Sequence, residues 1–280
     1  MSQGKLKSEE SAQLSELINK ITGICLPEDK EYLIKRRLSP VLKNFGCDSF
    51  HEFIDKLQNN PSIALQEALT DAMVTNETMF FRDQKPFDLL QRKILPDYFS
   101  QKSTPQRFNI LSAGTSTGEE VYSLAILLNE FLENSPADSY QITGIDVSLQ
   151  VLEKAKSGAF SEFQIHRGLS PVYRRKYFTR QGDQWIITQK LKKNLSFKRH
   201  NLISNIPIYP SGSLDMIFCR NVLIYFDQKN RKKVVDRFYD LLTENGTLIL
   251  GSSEMLSRDQ EKKFSPNQHN QILYYTKKKL

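Results

Sequence analysis

At 280 residues the chain is long enough to bury a sizeable core in one large domain or two. With 39% hydrophobic and 25% charged residues and no long Gly, Ser or Pro tract, it excludes a mainly disordered protein. The formal charge of +7 favours acidic partners without choosing among nucleic acid, anionic lipid and acidic protein, and part of the excess lies in the terminal "TKKKL", read as a solvated tail.

No apolar run approaches the ~20 residues that span a bilayer. The start "MSQGKLKSEES" has no signal-peptide core, so a cytoplasmic protein without direct membrane insertion is expected. Residues 8 to 75 read as wholly helical: Leu14, Leu17, Ile18 and Ile21 share one face of a first helix, "EYLIKRRL" from Glu31 begins a second, and "SFHEFIDKLQ" opens with Ser49 as a cap and Glu52 three residues later. A small helical domain over 8–75 is expected, then a linker over 76–105. From Phe108 the pattern changes. The apolar strands "FNILSAG", "YQITGIDVS", "LSFKRHNL", "LDMIFCRNV" and "GTLILGSSE" alternate with helical "EEVYSLAILLNEFL", "LQVLEKAKSG" and "QKNRKKVVDRFYDLL", which predicts a parallel, doubly wound α/β sheet over 106–280. The last segment, "QILYYTKK", follows a loop rather than a crossover helix and is read as an antiparallel edge. The connection between the second and third strands is too long for a plain loop. Within 160–194, "YRRKYFTR" and "QWIITQKL" flank "QGD" and predict a small inserted hairpin. Cys25, Cys47 and Cys219 are too scattered for a zinc ribbon, so no metal is expected and each is read as a buried small hydrophobe.

The first strand runs into "SAGTSTGEE", whose Gly114 and Gly118 fit neither G-x-G-x-x-G nor a phosphate-binding P-loop. A helix start normally attracts anions. Glu119 and Glu120 would repel phosphate there, and suit a ligand with a positive or neutral group, such as the amine and sulfonium of S-adenosylmethionine. Equally, Ser116 and Glu119 fit a capping box in which Glu119 only satisfies the helix N-terminus. Asp146, ending the second strand, can accept from ribose hydroxyls or cap a helix; Asn201 ends the third and Arg220–Asn221 the fourth, all at the carboxyl edge where open α/β sheets bind ligands. Upstream, in "VTNETMFFRD", composition alone reads Asn76 and Thr78 as caps, Phe80 and Phe81 as core, and Arg82 as a partner of Asp83.

Together, "TNETMFFRD", "SAGTSTGEEVYSLA", "GIDVSLQVLEKAKSG", "FKRHNL" and "FCRNVLIYFD", in that order, resemble the chemotaxis receptor glutamate methyltransferases, the CheR family, over most of residues 15–275. The resemblance implies an N-terminal all-helical domain, a class I S-adenosylmethionine-dependent methyltransferase domain with a Rossmann-like doubly wound sheet and an antiparallel last strand, and an inserted small antiparallel β subdomain. It carries the cofactor contacts onto Asn76, Thr78, Arg82, Glu119, Asp146, Asn201, Leu202, Arg220 and Asn221, and an active-site tyrosine onto Tyr225, with the linker closing over the cofactor. Val121 stands where the family often has Pro after the paired glutamates, which puts the tightness of that turn in doubt.

The activity implied is methyl transfer from S-adenosylmethionine to glutamate side chains on the cytoplasmic helical bundle of a chemoreceptor, leaving S-adenosylhomocysteine and a methyl ester. A carboxylate with a pKa near ~4.3 is already ionised at neutral pH, so no general base is required. Tyr225 is expected to orient the acceptor, and Arg82 to hold the cofactor and keep the site positive. Lys35, Arg36 and Arg37 on the second helix, with Arg174 and Arg175 in the insertion, are expected to meet the glutamate-rich substrate. The short "TRQGDQW" connection around Gly182 predicts no dependence on a receptor C-terminal peptide tether, and a monomer is expected. A nucleic-acid methyltransferase would suit the charge; such enzymes resemble one another in an Asn/Asp-Pro-Pro-aromatic turn after the fourth strand, where this chain reads "CRNVLIYF". A non-catalytic cofactor-binding regulatory module is the third reading.

Overall fold

Helices form where the sequence supplies a cap and an apolar face. In the computed structural model, which describes residues 6–27, 30–100, 107–133, 139–205 and 208–279, four helices fill the N-terminal third: α1 (Ser8–Thr22), α2 (Glu31–Asn44), α3 (Phe50–Asn59) and α4 (Ile63–Met73). The Ser49 hydroxyl accepts the Glu52 N–H at 3.2 Å, whereas the Glu52 carboxylate takes the N–H of Asp48 rather than Ser49, so the expected box is displaced by one residue. Leu14, Ile18, Leu38, Phe53 and Leu69 are completely buried together. Each such side chain contributes about 1.5–3 kcal/mol.

After α4 the chain runs without regular structure over only the first part of the expected linker, to Gln84, and buries Phe80 and Phe81 as the composition predicts. It then enters α5 (Lys85–Leu89), a π-helical turn at Leu90–Ile94, and α6 (Leu95–Ser100). The expected boundary at 105/106 lies outside the described residues. Next follow β1 (Arg107–Ala113), α7 (Glu119–Leu132), β2 (Ser139–Asp146) and α8 (Leu149–Ser157). The insertion comprises β3 (Ala159–Ser161), α9 (Glu162–His166), α10 (Pro171–Tyr177), β4 (Phe178–Gln181), β5 (Gln184–Ile187) and α11 (Gln189–Lys192). The chain closes with β6 (Leu195–Arg199), β7 (Leu214–Cys219), α12 (Gln228–Leu241), β8 (Leu242–Leu250), β9 (Phe264–His269) and β10 (Ile272–Lys277).

The main sheet has the order β6-β2-β1-β7-β8-β10-β9, with β6 through β8 parallel and β10 antiparallel to both neighbours. The order reverses at β1, so a crevice opens beyond its carboxyl end, as in open α/β sheets generally.

Three expectations change. The final strand is antiparallel but internal: β9, whose "FSPNQH" carries a proline compatible only with an edge, covers it. The inserted unit is a three-stranded antiparallel sheet in which β5 lies between β3 and β4, and "YRRKY" is helical instead of strand. Cys25 is exposed, just beyond the end of α1, while Cys47 and Cys219 are buried.

The helical domain docks onto the turn after β7. Ile24 bridges Phe226, the Cys25 N–H donates to the Tyr225 carbonyl at 2.8 Å, and the Asn19 side-chain amide donates to Asp227 at 3.2 Å.

Candidate active site

At the end of β1 the chain turns through Gly114 at φ +75°, where a Cβ would stand 2.4 Å from a Val222 methyl, so only glycine fits. The Gly114 and Thr115 N–H groups both bond the Ile145 carbonyl, which fastens this turn to the end of β2. Ser116 then donates its N–H to the Asp146 carboxylate at 2.9 Å and its hydroxyl to the Asn76 carbonyl at 3.2 Å. One residue thus ties the β1 turn to β2 and to the linker. Because Ser116 is engaged there, it does not cap α7; Gly118, at φ +95° and with no side-chain cap, precedes the first turn, and the capping-box reading fails. Val121 is fully buried, and the turn forms without the proline.

The paired glutamates diverge. Glu119 is 1% exposed, accepts from the Thr117 hydroxyl at 2.6 Å and from the Gln164 amide of α9 at 3.0 Å, and does not line the crevice. Burial holds its carboxyl above the usual range, opposed in part by those two hydrogen bonds. Glu120 lines the crevice instead, accepts from the Ser112 hydroxyl at 2.8 Å and pairs with Arg220 at 3.1 Å. Of the pair it is Glu120 that reaches the wall, where His200, Thr22 and Ile24, which the sequence reading did not single out, also stand.

The crevice is walled by the linker and by the turns that follow the carboxyl ends of the strands. Asn76, Thr78 and Arg82 from the linker, Asp146 from β2, and Asn201 and Leu202 after β6 all line it. Arg220, Asn221 and Tyr225 after β7 complete the wall. Asp146 accepts backbone N–H groups from Ser116 and Ser148, and burial outweighs these in raising its carboxyl above the ordinary value. His200 is pushed below its ordinary value by burial and by Arg237. Arg220, with a side chain only 2% exposed, also bonds Asp83 at 2.9 Å and the Arg82 carbonyl at 2.7 Å; Asp83 is thus the partner of Arg220 rather than of Arg82. Neither Asn76 nor Thr78 begins a helix.

None of the basic side chains expected to meet the substrate lines the crevice. Lys35, Arg36 and Arg175 are exposed, while Arg174 lies over the Trp185 ring and bonds His166 at 2.8 Å. Arg37 is committed to the linker, donating to the Met73 carbonyl at 2.6 Å, the Val74 carbonyl at 3.3 Å and the Thr75 hydroxyl at 3.2 Å.

The polar lining has the complement that S-adenosylmethionine requires. Asp146 offers oxygen acceptors for ribose hydroxyls, Glu120 offers an anion for a cationic ligand, and the buried Asn221 Oδ1 has no hydrogen-bond partner among the described residues. A ligand donor would satisfy such an acceptor on a cleft wall.

Residues 9–74 match the family described as CheR methyltransferase, all-alpha domain, and residues 76–272 the family described as CheR methyltransferase, SAM binding domain. Chemotaxis protein methyltransferase Cher2 of Pseudomonas putida is 35% identical over 262 residues, covering 92% of this chain and 93% of the relative. A chemotaxis protein methyltransferase of Vibrio parahaemolyticus is 34% identical, with 90% and 91% covered, and one of Borreliella burgdorferi is 36% identical, with 90% and 89% covered. With an all-helical domain closed onto a doubly wound sheet and both family descriptions matched in order, the chain belongs to the CheR family and is an S-adenosylmethionine-dependent methyltransferase of chemotaxis.

Proposed function

We propose that the chain methylates glutamate side chains on the cytoplasmic helices of a chemoreceptor, giving methyl esters. One observation carries this reading. Tyr225 and Arg82 line the same crevice half-buried; the Tyr225 hydroxyl has no hydrogen bond among the described residues, and Arg82 donates only to the Glu77 carbonyl, at 2.8 Å. A phenol and a guanidinium with donors to spare can hold an anionic acceptor.

Bound S-adenosylmethionine supplies a methyl group made electrophilic by its sulfonium. Asp146 would hold the ribose, and Glu120 and Asn221 the amine end, while Asn76, Thr78 and Leu202 shape the walls. Since the acceptor carboxylate is ionised at neutral pH, no residue has to remove a proton. The work of the chain is to orient and to exclude water. The linker carrying Asn76 to Arg82 is suited to exclusion, because Ser116 and Arg220 fasten its backbone across the crevice. Burial and Arg237 lower His200 from its ordinary value, which favours the uncharged ring in the crevice.

Lys35 and Arg36 are the cations we assign to receptor encounter, with Arg175 on the insertion. Arg37 and Arg174 act in holding the fold. The β4–β5 connection is a two-residue turn, Gly182–Asp183, with Gly182 at φ +60°, which supports methylation without a C-terminal peptide tether. Among the described residues no helix is long and apolar enough to cross a membrane.

The test is transfer of tritium from methyl-labelled S-adenosylmethionine to receptor-containing membranes. Base-labile counts in the receptor band are expected. Base-stable counts, or counts in nucleic acid, would overturn the acceptor.

A further inference from the structure

Glu254 follows β8 at the carboxyl edge of the sheet and is only 3% exposed, yet its carboxylate lies outside the crevice lining. Its oxygens accept four backbone N–H groups. Oε2 takes those of Asn221 and Gly251, each at 2.8 Å, and Oε1 takes those of Val222 at 3.0 Å and Ile224 at 3.2 Å. Three of these donors belong to the turn after β7 that presents Asn221 and Tyr225 to the crevice. The turn cannot satisfy them itself: Asn221 sits in the left-handed region at φ +58°, and the internal bonds of the turn use the later N–H groups of Tyr225 and Phe226. Buried N–H groups without partners are rare, and hydrogen bonds to an ionised acceptor are stronger than neutral ones. The surroundings fit this clamp closely, since a Cβ at Gly251 would lie 2.7 Å from Glu254 Oε2 and 2.9 Å from the Asn221 nitrogen.

We infer that Glu254 is a positioning residue for methyl transfer: its carboxylate fixes the 221–225 turn, and through it the Asn221 side chain and the Tyr225 ring. This rests on the role proposed above for Tyr225. Strand geometry alone does not set these groups, because β7 ends at Cys219, before them. The backbone of the turn is instead held from two sides, by Glu254 through its N–H groups and by the Cys25 N–H through the Tyr225 carbonyl.

Glu254→Gln keeps the side-chain size but turns one oxygen into an NH₂ group, which opposes two of the N–H donors whichever way the amide is rotated. The turnover number, S-adenosylhomocysteine affinity and amide hydrogen exchange over residues 221–225 are compared in the wild type, Glu254→Gln, Tyr225→Phe and the double variant. Glu254→Gln is expected to accelerate exchange of these amides and to lower turnover about tenfold or more. In the Tyr225→Phe background the same change should cost less than about threefold, because two residues acting as one unit do not add. Unchanged exchange or, where Tyr225→Phe itself lowers turnover, the same loss of turnover in both backgrounds, would overturn the inference. If Tyr225→Phe alone turns over like the wild type, the acceptor role of Tyr225 fails. The clamp is then decided through Asn221: weakened S-adenosylhomocysteine binding in Glu254→Gln sustains it, and unchanged binding removes it. Should Glu254→Gln not fold, Gly251→Ala presses on the same oxygen and the same N–H, and is expected to reproduce the loss; wild-type turnover in that variant would overturn the clamp.

Discussion

Replacing each glutamate of the 119–120 pair by glutamine separates the wall of the cleft from what lies behind it. Glu120 accepts from Arg220 at 3.1 Å and from Ser112 at 2.8 Å, and its charge faces the crevice. Glu120→Gln neutralises one partner of a guanidinium that is 2% exposed and removes the anion facing the ligand. A hydrogen bond to a charged group contributes ~1.5–3 kcal/mol, which corresponds to roughly 10- to 150-fold in affinity at about 1.4 kcal/mol per decade. Asp83 still pairs with Arg220, so the variant should fold. Glu119→Gln loses nothing comparable, because a glutamine there can accept from Gln164 with its oxygen and donate to the Thr117 hydroxyl with its nitrogen. Its affinity should stay within about threefold of the wild type, the scale of a retained hydrogen-bond set. Calorimetric titration with S-adenosylhomocysteine reads both. If Glu119→Gln lost affinity tenfold or more while Glu120→Gln bound normally, the assignment of the two side chains would be refuted.

The same Glu119→Gln variant carries a pH signature. Burial raises the Glu119 carboxyl in the folded state, so the wild type is penalised once that group must ionise; the stability advantage of the variant should be near nil below about pH 4, grow as pH rises through the carboxyl range and then level off, and thermal melts showing the opposite slope would exclude the effect. Charge reversal at Lys35 and Arg36 together should slow methylation of receptor membranes several-fold at low salt and leave the melting temperature unchanged, whereas Arg37→Ala should lower both the melting temperature and S-adenosylhomocysteine affinity, since it frees the linker; a salt-independent rate or an unaffected Arg37→Ala variant would count against this division. Deleting the last residues of the receptor should change its methylation rate by less than about twofold, and measurable binding of the isolated tail peptide to this chain would overturn that expectation.

The alternation of strands and helices was legible because periods of 2 and 3.6 residues are local properties, and the strand-to-helix turns at Gly114 and Asp146 follow from it. The helical insertion segment could also have been read: Ser170 accepts the Tyr173 N–H at 3.2 Å and Pro171 opens α10, a cap followed by a first-turn proline. β9 was not legible in the same way. Its "FSPNQH" has one buried apolar residue, Phe264, and becomes a strand only because β10 offers it a partner. The two glutamates show a different limit. Neighbouring helix positions point about 100° apart, so which of Glu119 and Glu120 reaches the crevice depends on the roll of α7. That roll is set by long-range contacts such as the bond of Gln164 to Glu119.

The least legible property is that the site is a seam between domains. Motif by motif, Asn201 reads as a ligand contact at a strand end. Its side chain is in fact engaged, donating to the Ile21 carbonyl of α1 at 2.8 Å and accepting from Ile203, so the cleft wall it forms exists only when the helical domain is docked. Thr22 and Ile24 reach the crevice from the same helix end, and Arg37 fastens the linker that runs across it. Each of these contacts joins residues far apart in the sequence, and no local periodicity encodes them. They make the helical domain a wall of the cofactor site. A substitution in α1 or α2 therefore acts on cofactor affinity through the seam, and one in the turn after β7 acts on domain docking through Tyr225 and Phe226.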